Sequence, residues 1–481
     1  MGDFFGHIID GEEVGSLDGA TFEVWNPYTR EVWAQAAEGS ARDAQRAVAS
    51  SRRAFDEGDW PHLGRAERAK AIHKLADLME ARTDDLARLD STNMAKPFEQ
   101  AKHDVARSVW NFRFFADHQR DHVGEVYPMD TGHHTYSEYG PAGVVAAISP
   151  WNFPLMMASW KIAPAIAWGN TCIIKPSEDT PASVTMLGRL ATEAGLPPGV
   201  LNVVNGYGHP AGSALTGDDR VDRVTFTGSS TTGKAVMASA ATHLAPVSLE
   251  LGGKGANIVF ADADLDNAVY WAVEAIFRNA GQICLAGSRL FVQDEIYDDF
   301  MARFVAAAEA LTFGDPFDPA TKFSSLASKR HFDKVSGYVE AARGLGGRFL
   351  TGGVADDGSW MVLPTIIDGL ELDSEPYCEE IFGPVCVVNR FSTEADAIHL
   401  ANDTRYGLNA MLFTENLSRA HRVASRLRAG TVWVNCFFIR DLRTPFGGVG
   451  DSGVGREGGN FSREFFTEPK AVVMQIRRTS D

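Results

Sequence analysis

Of the five cysteines in this 481-residue chain, one sits where a thiol could do chemistry. Cys284 lies in Arg278-Asn279-Ala280-Gly281-Gln282-Ile283-Cys284-Leu285-Ala286-Gly287-Ser288-Arg289. An apolar helical pattern, Asn267 to Phe277, precedes it, and a strand-like run, Leu290-Phe291-Val292, follows. A side chain at such a helix-to-strand transition can point into a cleft. The small residues Gly281, Ala286 and Gly287 let backbone or ligand come close. A thiolate is a strong nucleophile near neutral pH, stronger when its pKa is lowered. Taken alone, though, a free cysteine is more often a small buried hydrophobe. The rest of the chain has to decide.

Two further stretches have residue types suited to phosphate and ribose. In Phe226-Thr227-Gly228-Ser229-Ser230-Thr231-Thr232-Gly233 a strand ends in glycine and hydroxyl residues and a helix begins. Helix N-termini offer free N–H groups and a positive dipole end to an anion; an ordinary capped helix start would look the same. Lys175-Pro176-Ser177-Glu178 ends another strand. There a lysine can donate to a ribose and a carboxylate can accept from two hydroxyls. That carboxylate would repel a 2'-phosphate, which favours NAD over NADP. The alternative is a surface salt bridge. The pattern G-x-G-x-x-G occurs at Gly448-Gly450-Gly453 and Gly453-Gly455-Gly458, but neither opens the strand–helix–strand unit that a dinucleotide fingerprint requires. No cysteine pair has C-x-x-C spacing and no Cys/His cluster has zinc-ligand spacing, so no metal is expected.

The elements that must position these residues alternate regularly from Gly143 onward. Strand-like runs are Val144 to Ile148, Thr171 to Lys175, Leu201 to Val204, Arg223 to Thr227, Val247 to Leu251 and Asn257 to Phe260. Helical patterns over Leu155 to Trp168, Ala182 to Gly195, His209 to Leu215 and Thr231 to His243 separate most of them. Apolar strands alternating with helices predict an α/β fold with a parallel sheet covered on both faces, and ligands bind such sheets at the carboxyl ends of the strands. A second α/β unit follows and carries Cys284. Ahead of both, segments starting after Ser40, at Arg65 to Leu89 and at Phe98 to Asp117 form a helical layer. Thr131 to Tyr139 and Ala471 to Ile476 read as peripheral strands. Strands that need an edge suggest an oligomer, a homodimer or homotetramer; a small edge sheet within one chain is the alternative.

A chain of this length exceeds one hydrophobic core, so two or three domains are expected. The net charge of -18 argues against nucleic-acid binding, which needs a basic face. Met1 to Ile9 shows no signal-peptide pattern, and no apolar run approaches the roughly 20 residues that span a bilayer, so a reduced, cytoplasmic protein with no membrane partner is expected.

Several stretches together resemble the NAD(P)-dependent aldehyde dehydrogenase superfamily. They are Pro150-Trp151-Asn152-Phe153-Pro154, Lys175-Pro176-Ser177-Glu178, Phe226-Thr227-Gly228-Ser229, Glu250-Leu251-Gly252-Gly253-Lys254, Gly281-Gln282-Ile283-Cys284, Glu379-Glu380-Ile381-Phe382-Gly383-Pro384 and Pro445-Phe446-Gly447-Gly448. Their order and spacing span essentially the whole chain. The resemblance implies two parallel-sheet α/β domains plus a small β oligomerisation arm. The NAD-binding domain would comprise 1–117 and 141–251, the catalytic domain 252–450, and the arm 118–140 and 464–481. Cys284 matches the family nucleophile, Asn152 the side-chain oxyanion donor and Glu250 the base that activates water against the thioester. A dehydrogenase passing its acyl group to coenzyme A would not need that base. For NAD, Lys175 and Glu178 match adenine-ribose contacts, Ser229 the pyrophosphate contact, and Glu380 the nicotinamide-ribose contact with Phe382 beside it. Ser149, Pro150, Trp151, Gly228, Gly233 and Leu251 complete the implied cofactor surface.

Two arginines match substrate-facing positions: Arg107 in Val105-Ala106-Arg107-Ser108-Val109-Trp110, and Arg440 in Phe438-Ile439-Arg440-Asp441-Leu442-Arg443, with Arg443 nearby. Guanidinium groups grip carboxylates bidentately. These stretches resemble the subgroup that oxidises 2-hydroxymuconic, 2-aminomuconic and 5-carboxymethyl-2-hydroxymuconic semialdehydes, from ring-cleavage catabolism of aromatics. The expected substrate is therefore a carboxylate-bearing aldehyde. Alternatives are another small or aromatic aldehyde, coenzyme-A acylation, or a non-catalytic scaffold; the arginines could also be spent on ion pairs with Asp104 or Asp441. Gly450 stands where many relatives have lysine, and Ser324-Ser325-Leu326 where many have Gly-Pro-Leu.

Overall fold

The computed structural model describes residues 3–355 and 357–476. Two large sheets organise it. In the first, the strands Val247–Glu250, Arg223–Thr227, Val144–Ile148, Thr171–Lys175 and Leu201–Val203 lie side by side in that order, all parallel. Their apolar residues are buried on both faces, as a sheet covered by helices on both sides requires. The hairpin His7–Ile9 with Glu12–Val14 extends one edge antiparallel, turning on Asp10 and Gly11, both at positive φ. The register places Thr227 beside Glu250 and Ile148 beside Lys175. The carboxyl ends that carry Ser149, Lys175, Gly228 and Glu250 therefore share one rim.

The second sheet has the order Arg348–Val354, Val362–Asp368, Val385–Phe391, Arg289–Gln293, Ala256–Val259, Asn409–Phe413, Thr431–Val434, parallel except at its first pair. The strand-like run at Asn257 to Phe260, which follows the first alternation in sequence, belongs here. Only Leu251 to Gly255 separate it from Glu250, so the chain crosses from the carboxyl rim of one sheet to the amino rim of the other. Cys284 lies just ahead of Arg289–Gln293, at that same amino rim. A Cβ on Gly253 would stand 2.5 Å from the Cys284 carbonyl, and one on Gly255 2.6 Å from that of Ala286. The glycines of this crossing thus let the chain pass close against the segment that carries Cys284.

The helical layer forms as expected, with one difference. Ser40 caps Ala41–Asp56 in a reciprocal capping box with Asp43. The segment from Arg65 divides into Arg65–Ala81 and Thr83–Met94 at Arg82, whose backbone leaves helical geometry. The two peripheral strands pair with each other, His133–Pro141 against Thr467–Gln475, with Val126–Tyr127 on the far side of the first. The need for an edge is thus met within the chain for His133–Pro141, and Thr467–Gln475 keeps one open edge. Residues 477–481 of the expected arm lie outside the described residues. Among the described residues no helix is long and apolar enough to cross a membrane.

Candidate active site

The chain reaches Cys284 through a turn that few residues adopt. Asn279, Ala280 and Gly281 all have positive φ, of 53°, 53° and 69°. A side chain at Gly281 would meet the Gly383 carbonyl at 2.1 Å, so only glycine fits. Left-handed backbone at a non-glycine such as Ala280 costs energy and persists where surrounding structure enforces it. Here the enforcement is visible. Gln282 donates from its side chain to the Asn279 carbonyl at 3.0 Å and accepts from the Ala327 N–H at 2.9 Å.

The same turn holds Asn152. The Asn152 side chain donates to the Gln282 carbonyl at 2.9 Å, two residues before the thiol. Its own backbone carbonyl accepts from Asn279 Nδ2 at 3.1 Å and Lys96 Nζ at 3.0 Å. Asn152 is buried, with one amide hydrogen still uncommitted. Cys284 is half-buried. Burial, then the nearby carboxylates of Glu380 and Glu250, push its thiol up to about 12, against the opposing pull of the backbone N–H groups of Cys284 and Leu285.

Glu250 closes its strand and is buried, yet neither carboxylate oxygen has a partner among the described residues. Burial and the neighbouring Glu457 raise its pKa well above the usual carboxylate range; Lys161, Arg440 and Arg456 oppose this. Behind it lies a buried polar chain. Lys161 Nζ donates to Thr225 Oγ1 at 2.9 Å and to Glu457 at 3.2 Å, and Ser248 donates to Glu457 at 3.3 Å. The glycine-rich tract that imitates a fingerprint forms the wall here. Gly453 pairs with Glu250, and a Cβ on Gly447 would lie 2.7 Å from its Oε1. Those glycines serve close packing against a carboxylate, not phosphate binding.

On the cofactor side, Lys175 is buried and donates to the Pro176 and Gly206 carbonyls at 2.6 and 2.7 Å, and burial lowers its pKa to about 8. Glu178 lies 3.4 Å from Arg330, which also pairs with Asp179, beside a cavity of about 410 Å³. Ser229 caps the helix Ser230–Ala241 by accepting from the Thr232 N–H, so its hydroxyl is partly committed. Leu251 packs where a Gly233 side chain would go, 2.4 Å away. Across the cleft Glu380 accepts from the Gly253 N–H at 2.8 Å. Phe382, at φ 64°, meets Trp151 edge-on at 5.3 Å between centroids. Ser149 Oγ and Thr227 Oγ1, buried at adjoining strand ends, lack partners among the described residues. Orphaned hydroxyls with a glycine-lined strand-to-helix turn fit a polar, phosphate-bearing ligand.

Arg440 stacks between Trp160 and Phe446, with its guanidinium carbon 4.2 and 3.9 Å from the two ring centroids. Its Nε and Nη2 are buried without a partner among the described residues. Burial, then the cation of Arg107, lower it to about 9, while Glu250, Glu457 and Cys284 oppose the shift. Arg107 lies over Trp110 and donates to Asn111 at 3.3 Å. Arg443 does not join them: it is solvent-exposed and closes on Asp441 two residues away, satisfied by its own loop. Among the described residues no metal-binding cluster occurs.

The family model described as "Aldehyde dehydrogenase family" matches residues 15–472. The chain belongs to the aldehyde dehydrogenase family. A 2-hydroxymuconic semialdehyde dehydrogenase from Pseudomonas sp. (strain CF600) is 44% identical, over 98% of this chain and 99% of its own. A 2-aminomuconic semialdehyde dehydrogenase from Danio rerio is 42% identical over 94% of each. An aldehyde dehydrogenase from Bacillus cereus solved as its NAD+ complex superposes with a TM-score of 0.97 at 39% identity, covering 99% of this chain and 97% of that one.

This aldehyde dehydrogenase, an oxidoreductase, keeps several site residues that sequence reasoning did not single out. His331 donates from Nε2 to the Phe382 carbonyl at 2.7 Å and packs on Trp151 at 4.7 Å. Burial lowers its pKa to about 3, so it is neutral. Lys96, Asn279, Lys161 and Glu457 were equally silent. Each is one polar residue inside a helical or loop pattern, and no local spacing distinguishes it.

Proposed function

We propose that this aldehyde dehydrogenase oxidises a carboxylate-bearing semialdehyde of the muconic type, from ring-cleavage catabolism of aromatics, to the dicarboxylic acid. NAD is its cofactor. Cys284 attacks the aldehyde carbon after losing its thiol proton, and Glu250, whose proton affinity is raised, is the nearby acceptor. The free amide hydrogen of Asn152 and the Cys284 backbone N–H stabilise the resulting oxyanion. NAD, when bound, supplies the acceptor for the hydride leaving the thiohemiacetal carbon. Cys284 then carries a thioester. Glu250, having passed the thiol's proton to solvent, takes a proton from water, the hydroxyl adds to the acyl carbon, and the C–S bond breaks, the leaving sulfur taking that proton, to release acid and restore the thiol. Lys175, Glu178, Ser229, Glu380 and Phe382, with Ser149, Pro150, Trp151, Gly228, Gly233 and Leu251, hold the cofactor. The domains divide as 1–117 with 141–251 and 252–450, and the arm's open strand edge supports assembly with further copies.

The substrate reading rests on Arg440. A guanidinium enclosed by two aromatic rings, with two nitrogens unpartnered and a second arginine close by, is built to receive a carboxylate. The names of the muconic semialdehyde relatives agree. Steady-state kinetics with 2-hydroxymuconic semialdehyde and an uncharged aldehyde of similar size test it. Arg440→Gln is expected to raise KM for the charged substrate about 10–10²-fold more than for the neutral one, the loss typical of one buried charged hydrogen-bonded contact. Equal increases would sink the carboxylate clamp.

A further inference from the structure

Lys96 is a buried cation that none of these steps uses. It follows Ala95, held at φ 54°, and precedes Pro97, a connection that drives the side chain inward. No part of its side chain reaches solvent. The ammonium has three donors and three destinations: Asp104 Oδ2, the Asn152 carbonyl at 3.0 Å, and the face of Phe153, 3.9 Å from its centroid. A buried ion pair contributes little net stability, because desolvation offsets the attraction. An apolar side chain would fill the space as well. What an apolar side chain could not do is hold the Asn152 carbonyl.

Asp104 gives the pair its second role. It lies on the helix Phe98–His118, one turn before Arg107 and two before Asn111. Asn111 in turn donates to Ser159 at 2.9 Å, on the helix Pro154–Ala167 that begins just after Asn152. The helix carrying the substrate-facing Arg107 is thus tied to the Asn152 segment at two levels, and the Lys96–Asp104 pair is the tie that reaches Asn152 itself.

We propose that Lys96 and Asp104 are a positioning pair: they lock the Asn152 backbone so that its side-chain amide faces the oxygen bound at Cys284, and they hold that donor in register with the helix bearing Arg107. The inference rests on Asn152 as oxyanion donor. The test uses the full-length enzyme with saturating NAD and reads the single-turnover burst of NADH, KM and the dissociation constant for NAD. Lys96→Met is expected to slow the burst about 10–10²-fold, somewhat less than outright loss of an oxyanion donor, with KM and NAD affinity within about two-fold of wild type. In an Asn152→Ala background Lys96→Met should cost nothing further, because the group it positions is gone. Multiplying losses in the double variant, or an unchanged burst in Lys96→Met, would overturn the proposal. A loss of general integrity would instead move KM and NAD affinity together, which also counts against it. If Lys96→Met does not fold, Asp104→Asn, which keeps side-chain volume, replaces it with the same expected non-additivity, and additive losses there are equally decisive. An unchanged burst in Asn152→Ala alone would remove the donor reading underneath, a result distinct from failure of the pair.

Discussion

Asn152, the proposed oxyanion donor, and Glu250, the proposed base, are held in opposite ways. Asn152 is fastened through its side chain to the Gln282 carbonyl and through its backbone to Asn279 and Lys96. Glu250 is as deeply buried, yet both its oxygens lack partners among the described residues. The difference fits the roles proposed for each group. A donor aimed at developing charge works best when no reorganisation is needed at the moment of reaction. A base that serves first a thiol and then water has to be free to meet both. Its isolation costs stability, as an unsatisfied buried carboxylate does, and functional sites are where such costs persist.

The largest effect tests whether both groups face the right atom. Cys284→Ala should reduce NADH formation from any aldehyde by at least about 10⁴-fold, the scale seen when a covalent nucleophile is removed. Substantial residual oxidation would mean that the contrast concerns a bystander. Next, Asn152→Ala and Glu250→Gln should separate. Loss of the fixed donor should slow the NADH burst about 10²–10³-fold. Loss of the free base should slow the burst less than this, because solvent can also take the thiol's proton, and cut steady turnover about 10²–10⁴-fold, because the thioester accumulates. Equal suppression of the burst by both variants would erase the functional difference between them.

The smallest effect is on stability, and its sign depends on pH. The native carboxyl of Glu250 binds its proton more tightly than an unfolded glutamate does. The stability this contributes is complete below the unfolded pKa of about 4.5 and is lost as pH rises through the native value. Glu250→Gln should therefore melt higher than wild type at about pH 8, by roughly a few degrees, with the gain vanishing near pH 4. Thermal unfolding at the two pH values checks it, and a gain that is independent of pH would mean that ionisation is not the cause.

Much of this site was legible in the chain. The strand at Val144 to Ile148 was readable because burial on both faces demands an unbroken apolar run. Cys284, Asn152 and Glu250 stood out through short motifs with small residues beside them. The helical break at Arg82 was not read because no glycine or proline marks it, and only Thr83-Asp84-Asp85, residues that favour a helix start, signalled it. The partners of Asn152 were hidden for a different reason. Lys96 is 56 residues away from it and Asn279 is 127, and hydrogen bonds at such separation leave no local pattern. The three arginines expected to face substrate looked alike in sequence. Arg443 spends its charge on Asp441, while Arg440 sits between two rings with Nε and Nη2 unpartnered among the described residues, a distinction set by which way one loop turns.

The sequence by itself determined the α/β alternation, the family and the residues able to carry the chemistry, because strand burial and glycine-lined turns are written in neighbouring residues. Only the tertiary structure decided which polar groups are satisfied. It paired Lys96 with Asp104 and Asn152, left Glu250 and Arg440 without partners among the described residues, and turned the glycine-rich tract into a wall against Glu250. Hydrogen bonding inside a protein is settled by where distant segments meet, and that meeting is fixed by the packing of the two sheets, not by the order of residues within either.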